Sequence, residues 1–263
     1  MNRIDETFMQ LKTKNRAALM PYLPLGYPTL DVSAQLIRAV AETGADLIEL
    51  GVPFSDPLAD GPVIQRATQI ALQNGMTLAK CLAMVRAARA AGVTVPLTLM
   101  GYYNPILRFG IGEFARAANE AGADGLIVPD LPPEEAGPLD AVCREHDLDL
   151  IFLAAPTSPP ARVQKIVEAT RGFVYLVSVV GVTGVRDLVA PDLAEFVARV
   201  RVATSKPVCV GFGIANAEAA RRVAQIADGV IVGSALVAQI GDATNAVDAA
   251  KNFVAELRAA MDR

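Results

Sequence analysis

Eight short apolar runs alternate with Ala-rich helical segments, without a composition break or linker. This predicts an α/β protein built as one (β/α)8 barrel, the TIM-barrel architecture, over residues 1–263. A repeated junction supports that reading. Gly44-Ala-Asp46-Leu-Ile, Gly122-Ala-Asp124-Gly-Leu-Ile and Ala227-Asp228-Gly-Val-Ile each stand between a helical segment and an apolar run. Aspartates entering strands belong at the N-terminal face of a barrel, where they are expected as turn residues. A doubly wound open sheet is the alternative. Against it, Leu23-Pro-Leu-Gly-Tyr-Pro28 after the first strand lacks the Gly-x-Gly-x-x-Gly of such folds.

Residues 2–13 carry Ile4, Phe8, Met9 and Leu11 at helical spacing and predict an extra N-terminal helix. The first strand runs from Ala17 to the turn at Gly26, and Asp31 is the expected N-cap of a helix reaching Thr43. Further strands are predicted near 47–50, 96–100, 125–128, 149–153, 173–178, 207–210 and 229–232. Helices fall near 62–73 with 77–91, then 111–121, 133–146, 159–169, 191–203 and 216–226. A short helix from Ser234 and a last one near 245–262 follow, so the second and eighth strands carry extra helices.

Hydrophobic residues make up 52% of the chain and charged ones 20%, which supports a sizeable core and argues against disorder. A net charge of −4 without a Lys/Arg cluster gives nucleic acid nothing to bind. No apolar run is long enough to span a bilayer, and Met1–Lys14 is polar and amphipathic, so a cytoplasmic protein is expected. Cys81, Cys143 and Cys209 are far apart and odd in number, which fits small buried thiols in a reducing compartment. The single histidine, His146, is expected on the solvated surface and cannot build a His-rich metal centre or a Ser–His triad. None of the lysines, at 12, 14, 80, 165, 206 and 251, lies within a predicted strand, which excludes Schiff-base chemistry inside the barrel.

Residues 46–62 organise the site. The apolar run Leu47-Ile48 is interrupted by Glu49, and a Pro- and Asp-rich loop follows, with Asp60 near its far end. A buried carboxylate without a partner costs several kcal/mol, so such a group is either paired or kept with a raised pKa for chemistry. Asp60 has a bland alternative as N-cap of the helix beginning near Pro62. The other strand ends contribute Tyr22, Met100 with Tyr102 and Asn104, Ile127 with Pro129 and Asp130, and Tyr175. Gly181 to Gly184, Gly211 to Gly213, and Gly233-Ser234 end the last three strands. Glycines there, with a helix starting at Ser234, would aim backbone N–H groups at one point and form an anion site suited to phosphate. Tyr22, Tyr102 and Phe212 suggest a flat apolar pocket beside it. What remains is non-covalent acid–base work on an apolar, phosphorylated substrate.

The stretch Glu49-Leu-Gly-Val-Pro-Phe-Ser-Asp-Pro-Leu-Ala-Asp-Gly-Pro62 resembles the most distinctive motif of the tryptophan synthase alpha subunit family. Pro129-Asp130-Leu-Pro-Pro-Glu-Glu135, Gly181-Val-Thr-Gly184, Gly211-Phe-Gly-Ile214 and Gly233-Ser234 extend the likeness along the chain. The resemblance implies a barrel that cleaves indole-3-glycerol phosphate to indole and glyceraldehyde 3-phosphate, with pyridoxal phosphate only in a partner beta subunit of an α2β2 complex. It implies Glu49 as general acid–base and Asp60 as the group that holds the indole N–H. Tyr22, Met100, Tyr102, Ile127, Tyr175 and Thr183 would line the substrate, with Tyr175 and Thr183 completing the site and its closing loop. Gly184, Phe212, Gly213, Gly233 and Ser234 would hold the phosphate. Pro53, Asp56, Asn104, Pro132 and Glu135 would face the beta subunit, and no metal is implied.

The sequence departs from the common pattern at several points. Tyr22 stands where Phe is frequent, Met100 where Leu is, and Pro129 replaces a small residue. Val179-Val180 stand where relatives carry Arg and a small residue. Another phosphate-binding barrel would want a strand lysine, or aspartates ending strands one and five, and neither is present. A free-standing lyase would carry much the same residues as a subunit. A catalytically idle regulatory subunit would have no use for both Glu49 and Asp60.

Overall fold

The structure, a computed structural model, describes residues 2–177, 191–211 and 213–262. Thr183, Gly184, Phe212 and the expected closing segment 179–190 lie outside the described residues. Helix α1 (Arg3–Thr13) is capped by Asn2, whose side chain accepts from the Ile4 and Asp5 N–H groups, and it buries Ile4, Phe8 and Leu11. Met9, expected on the apolar side, is 55% exposed, because the buried stripe passes through 4, 8 and 11.

Strand β1 (Ala18–Pro24) leads to α2 (Leu30–Glu42), whose N-cap is Thr29 and not Asp31. The Thr29 hydroxyl accepts from the Val32 N–H, which leaves Asp31 in the first turn. Next come β2 (Ile48–Gly51), α3 (Pro62–Gln73), α4 (Leu78–Ala90) and β3 (Leu97–Met100). An unforeseen helix, α5 (Tyr103–Phe109), precedes α6 (Ile111–Ala121), so the third strand also carries two helices. Its cap comes from another loop: the Asp130 carboxylate accepts the Tyr103 N–H at 3.0 Å. Strand β4 (Gly125–Ile127) precedes α7 (Gly137–Glu145), which starts later than expected because Pro133 to Glu135 form a turn. His146 is the half-buried C-cap of α7.

Strands β5 (Asp149–Ile151) and β6 (Leu153–Ala154) are the two halves of one expected run, parted at Phe152. After them come α8 (Pro160–Ala169), β7 (Val174–Val177), α9 (Pro191–Ala203), β8 (Val208–Gly211), α10 (Ala217–Ala224) and β9 (Gly229–Val232). Helices α11 (Ser234–Asp242) and α12 (Ala246–Met261) finish the chain. The strand order is β5-β4-β3-β2-β1-β9-β8-β7-β6, with every pair parallel. Since β5 and β6 are one run, the two ends of that order meet and the nine strands form a nearly closed barrel.

Side-chain alternation divides the apolar residues into two cores. Met20, Tyr22, Met100, Ile127, Ile151, Tyr175, Cys209 and Ile231 pack inside the barrel. Leu19, Leu23, Ile48, Leu50 and Leu99 point outward against the helices. Helix α1 plugs the N-terminal mouth, with Phe8 packed on Phe173 at 5.8 Å between ring centroids. The three cysteines are buried thiols, as expected.

The junction aspartates do more than turn the chain. Asp124, 3% exposed, accepts from Arg3 at 2.7 Å, from Arg89 at 2.6 Å and from the Leu97 N–H at 2.8 Å. Asp46 accepts the Leu19 N–H at 2.9 Å and pairs with Arg16 and Arg258. Asp228 accepts the Val208 N–H at 2.8 Å and pairs with Arg201. Each one enters its own strand and holds an N–H at the start of the neighbouring strand: the first of β3 and of β8, and the second of β1. These are the clamps of the N-terminal face.

Candidate active site

Glu49 sits in the middle of β2, where the parallel register sets it level with Tyr22 on β1 and Thr98 on β3. It is 1% exposed, and its Oε1 has no hydrogen-bond partner among the described residues. Burial pushes its carboxyl up to about 8, with no cation among the described residues pulling it down. At neutral pH the group is therefore mainly protonated: a donor at rest that becomes a base once its proton has left.

Asp60 lies on the loop between β2 and α3. The N-cap of α3 is Gly61, with Pro62 opening the helix and no side-chain cap bond, so the capping alternative for Asp60 does not hold. Its Oδ2 instead accepts the Tyr102 hydroxyl at 3.0 Å, and that hydroxyl accepts the Ala59 N–H at 2.9 Å. Tyr102 thus pins the loop at two adjacent residues, and Phe54 packs on its ring at 5.3 Å between centroids. Burial raises the Asp60 carboxyl, and the Tyr102 hydrogen bond opposes that rise. Tyr102, read from sequence as an apolar wall, has a polar task as well. Only the loop conformation could reveal it.

Two tyrosines line the barrel beside Glu49. Tyr22 and Tyr175 are 8% and 3% exposed, and burial holds both phenols neutral, with Glu49 adding to the effect. Each tip lies over a glycine ending the next strand. A Cβ on Gly51 would come within 2.5 Å of Tyr22 Cζ, and one on Gly211 within 2.7 Å of Tyr175 Cζ. These glycines are required by close approach, not by turn geometry. Met100 is buried at the end of β3, and Ile127, level with it at the end of β4, is fully enclosed in the same interior cluster.

Across the mouth, α11 begins at Ser234 with Gly233 as N-cap and no side-chain cap bond. The first helical bond runs from the Val237 N–H to the Gly233 carbonyl at 3.1 Å, so the N–H groups of Ser234, Ala235 and Leu236 have no helical acceptor. Gly213 is exposed at the end of β8 with φ +79, a conformation in which a side chain would be strained. A helix N-terminus with free N–H groups suits an anionic group. Among the described residues, no His, Cys, Asp and Glu cluster could hold a metal ion.

The expected partner residues share one rim. Asp56, Asn104 and Glu135 are exposed, and Pro53 and Pro132 are half-buried. Leu58, which sequence reading passed over, is 91% exposed on the same loop as Asp60, and Leu107 on α5 is 47% exposed. A lone leucine inside a Pro- and Asp-rich loop was the available signal.

Fold and site define a (β/α)8 barrel with a buried carboxyl, Glu49, on β2 and a second, Asp60, on the loop that leaves that strand. Residues 8–262 match the family model for the tryptophan synthase alpha chain. The tryptophan synthase alpha chain of Chloroflexus aurantiacus is 49% identical over all of this chain and all of its own length. That of Roseiflexus sp. is 50% identical, over 98% of this chain and 100% of its own. A solved structure of Mycobacterium tuberculosis tryptophan synthase superposes with a TM-score of 0.92 at 45% identity, covering 99% of this chain and 98% of that one. The chain belongs to the tryptophan synthase alpha chain family.

Proposed function

We propose that this chain, acting as one domain, is a lyase of tryptophan biosynthesis that cleaves indole-3-glycerol phosphate to indole and glyceraldehyde 3-phosphate. The observation that carries the reading is a buried Glu49, its Oε1 without a hydrogen-bond partner among the described residues, on the strand that leads to a second carboxyl, Asp60, positioned by Tyr102. Cleaving the bond between indole C3 and the glycerol carbon requires a proton on C3 and loss of the proton from the adjacent hydroxyl. Glu49 donates the first from its neutral form, and the carboxylate that results takes the second. Asp60 accepts the indole N–H and stabilises the positive charge that grows on the ring once C3 is protonated. The N-terminus of α11, with Gly213, holds the phosphate through backbone amides. Tyr22, Met100, Tyr102, Ile127 and Tyr175 form the walls. Thr183, Gly184 and Phe212 keep the roles that the family resemblance implies.

The chain needs no cofactor or metal of its own for this step, and pyridoxal phosphate belongs to the partner. That partner is a beta subunit docking on Pro53, Asp56, Asn104, Pro132 and Glu135, with Leu58 as the apolar anchor. No described helix is long and apolar enough to cross a membrane, and a cytoplasmic location agrees with that.

The test is product release from indole-3-glycerol phosphate by the purified full chain, with and without a tryptophan synthase beta subunit. Slow release of indole and glyceraldehyde 3-phosphate in equal amounts, rising sharply with the partner, is the expected result. Fast release without the partner would replace the subunit by a free-standing lyase. No release in either case would leave an idle regulator.

A further inference from the structure

The Tyr22 hydroxyl is a polar group with no assigned task. The rest of the ring explains itself: it packs inside the barrel beside Glu49, and a phenylalanine would fill that wall equally well. The oxygen does not. It makes no hydrogen bond among the described residues, and it is not a sealed, unsatisfied atom either. It lies over Gly51, two residues beyond Glu49 on the same strand, where any side chain would collide with the ring tip. Its base lies by Gly233, where an added Cβ would stand 3.7 Å from Tyr22 Cβ. The side chain therefore runs from the N-terminus of α11 to the acid–base strand, with its hydroxyl at the acid–base end.

Which polar group of a ligand meets it follows from what the neighbours can do. Asp60 can accept the ring N–H, and Glu49 exchanges protons. The glycerol oxygen next to the ring gives up its proton and becomes a carbonyl, so throughout the reaction it can accept a hydrogen bond. Tyr22 can serve as that donor. Burial, then Asp60, then Glu49 all oppose its ionisation, so the hydroxyl keeps its proton and cannot compete as a base.

Resting on the lyase reading above, we infer that the Tyr22 hydroxyl donates a hydrogen bond to the glycerol oxygen adjacent to the indole ring, the oxygen that becomes the aldehyde. The contact steadies the negative charge that grows on that oxygen as its proton passes to Glu49 and the C–C bonding pair moves into the protonated indole ring, and it selects substrates that carry an oxygen at that carbon. Tyr22 itself neither gains nor loses a proton.

The experiment compares wild type with Tyr22→Phe, as full chains with the beta subunit present. Loss of one donor to a reacting oxygen predicts a kcat for indole release lowered roughly tenfold, with KM nearly unchanged. Affinity for indole-3-propanol phosphate, which lacks that oxygen, should stay within about twofold of wild type. A variant whose kcat matches wild type overturns the inference. Equal weakening towards substrate and propanol analogue also overturns it, because that pattern belongs to wall packing alone. If the wild-type chain releases no indole, the lyase reading fails first and this contact with it. Wild-type turnover beside an unaffected variant sinks the contact alone.

Discussion

Replacing Glu49 by Gln lowers lyase turnover by roughly 10²–10⁴-fold while the barrel stays folded. Gln matches the shape of the neutral carboxyl that the site holds, so packing against Tyr22 and Thr98 survives. It can neither give a proton to indole C3 nor receive one from the glycerol hydroxyl. The linkage follows from the raised pKa. In the unfolded chain Glu49 ionises near 4.5, and in the folded chain near 8. Its contribution to stability is fully present below pH 4.5 and is lost as pH rises through 8. Wild type therefore loses stability relative to Glu49→Gln across that window, and the variant has the flatter profile. Steady-state indole release, with urea unfolding at about pH 5 and about pH 8, checks both parts. Turnover within about tenfold of wild type would contradict the acid–base role.

Asp124→Ala is the largest stability loss expected at the opposite end of the barrel. Asp124 is almost wholly enclosed and takes hydrogen bonds from Arg3, Arg89 and the Leu97 N–H. Arg89 is itself poorly exposed, and burial already opposes its charge, with Asp124 as the chief group supporting it. Removing the carboxylate strands a buried guanidinium and leaves the first N–H of β3 without its acceptor. Breaking such a pair from one side costs about 3–5 kcal/mol, equivalent to a Tm lower by roughly 6–20 °C in a protein of this size. Thermal unfolding measures it. A fall under about 2 °C would mean that the Asp124 clamp does not hold β3 against β4.

Much of the barrel was legible because its period was regular. Apolar runs bounded by turn residues placed β2, β3, β4, β7, β8 and β9 to within a residue or two, and Pro62 marked the start of α3. Short-range rules failed where a distant group decided the matter. Helix α5 depends on the Asp130 carboxylate from the β4 loop, and the start of α2 on a Thr29 hydroxyl that competes with Asp31. The strand break at Phe152 leaves no mark in an uninterrupted apolar run.

At the site, Glu49 was readable because a carboxyl inside an apolar strand has no cheap structural explanation. Asp60 was ambiguous, since Asp before a helix is a common cap, and only the Tyr102 contact separates the two readings. The junction aspartates look like turn residues because their partners, Arg89 and Arg258 among them, lie far away in sequence. Tyr22 shows the same limit. Its position predicts a wall, whereas its hydroxyl acquires meaning only from the glycine opposite and the two carboxyl groups near it.

The central claim is that the site keeps Glu49 protonated until the substrate uses it. Difference infrared titration of wild type against Glu49→Gln follows that carboxyl directly. The account predicts a protonated-carboxyl band at neutral pH that disappears with a midpoint near pH 8. A midpoint near 4.5, the ordinary value, would show that Glu49 enters the reaction already ionised, and the proton for indole C3 would have to come from elsewhere.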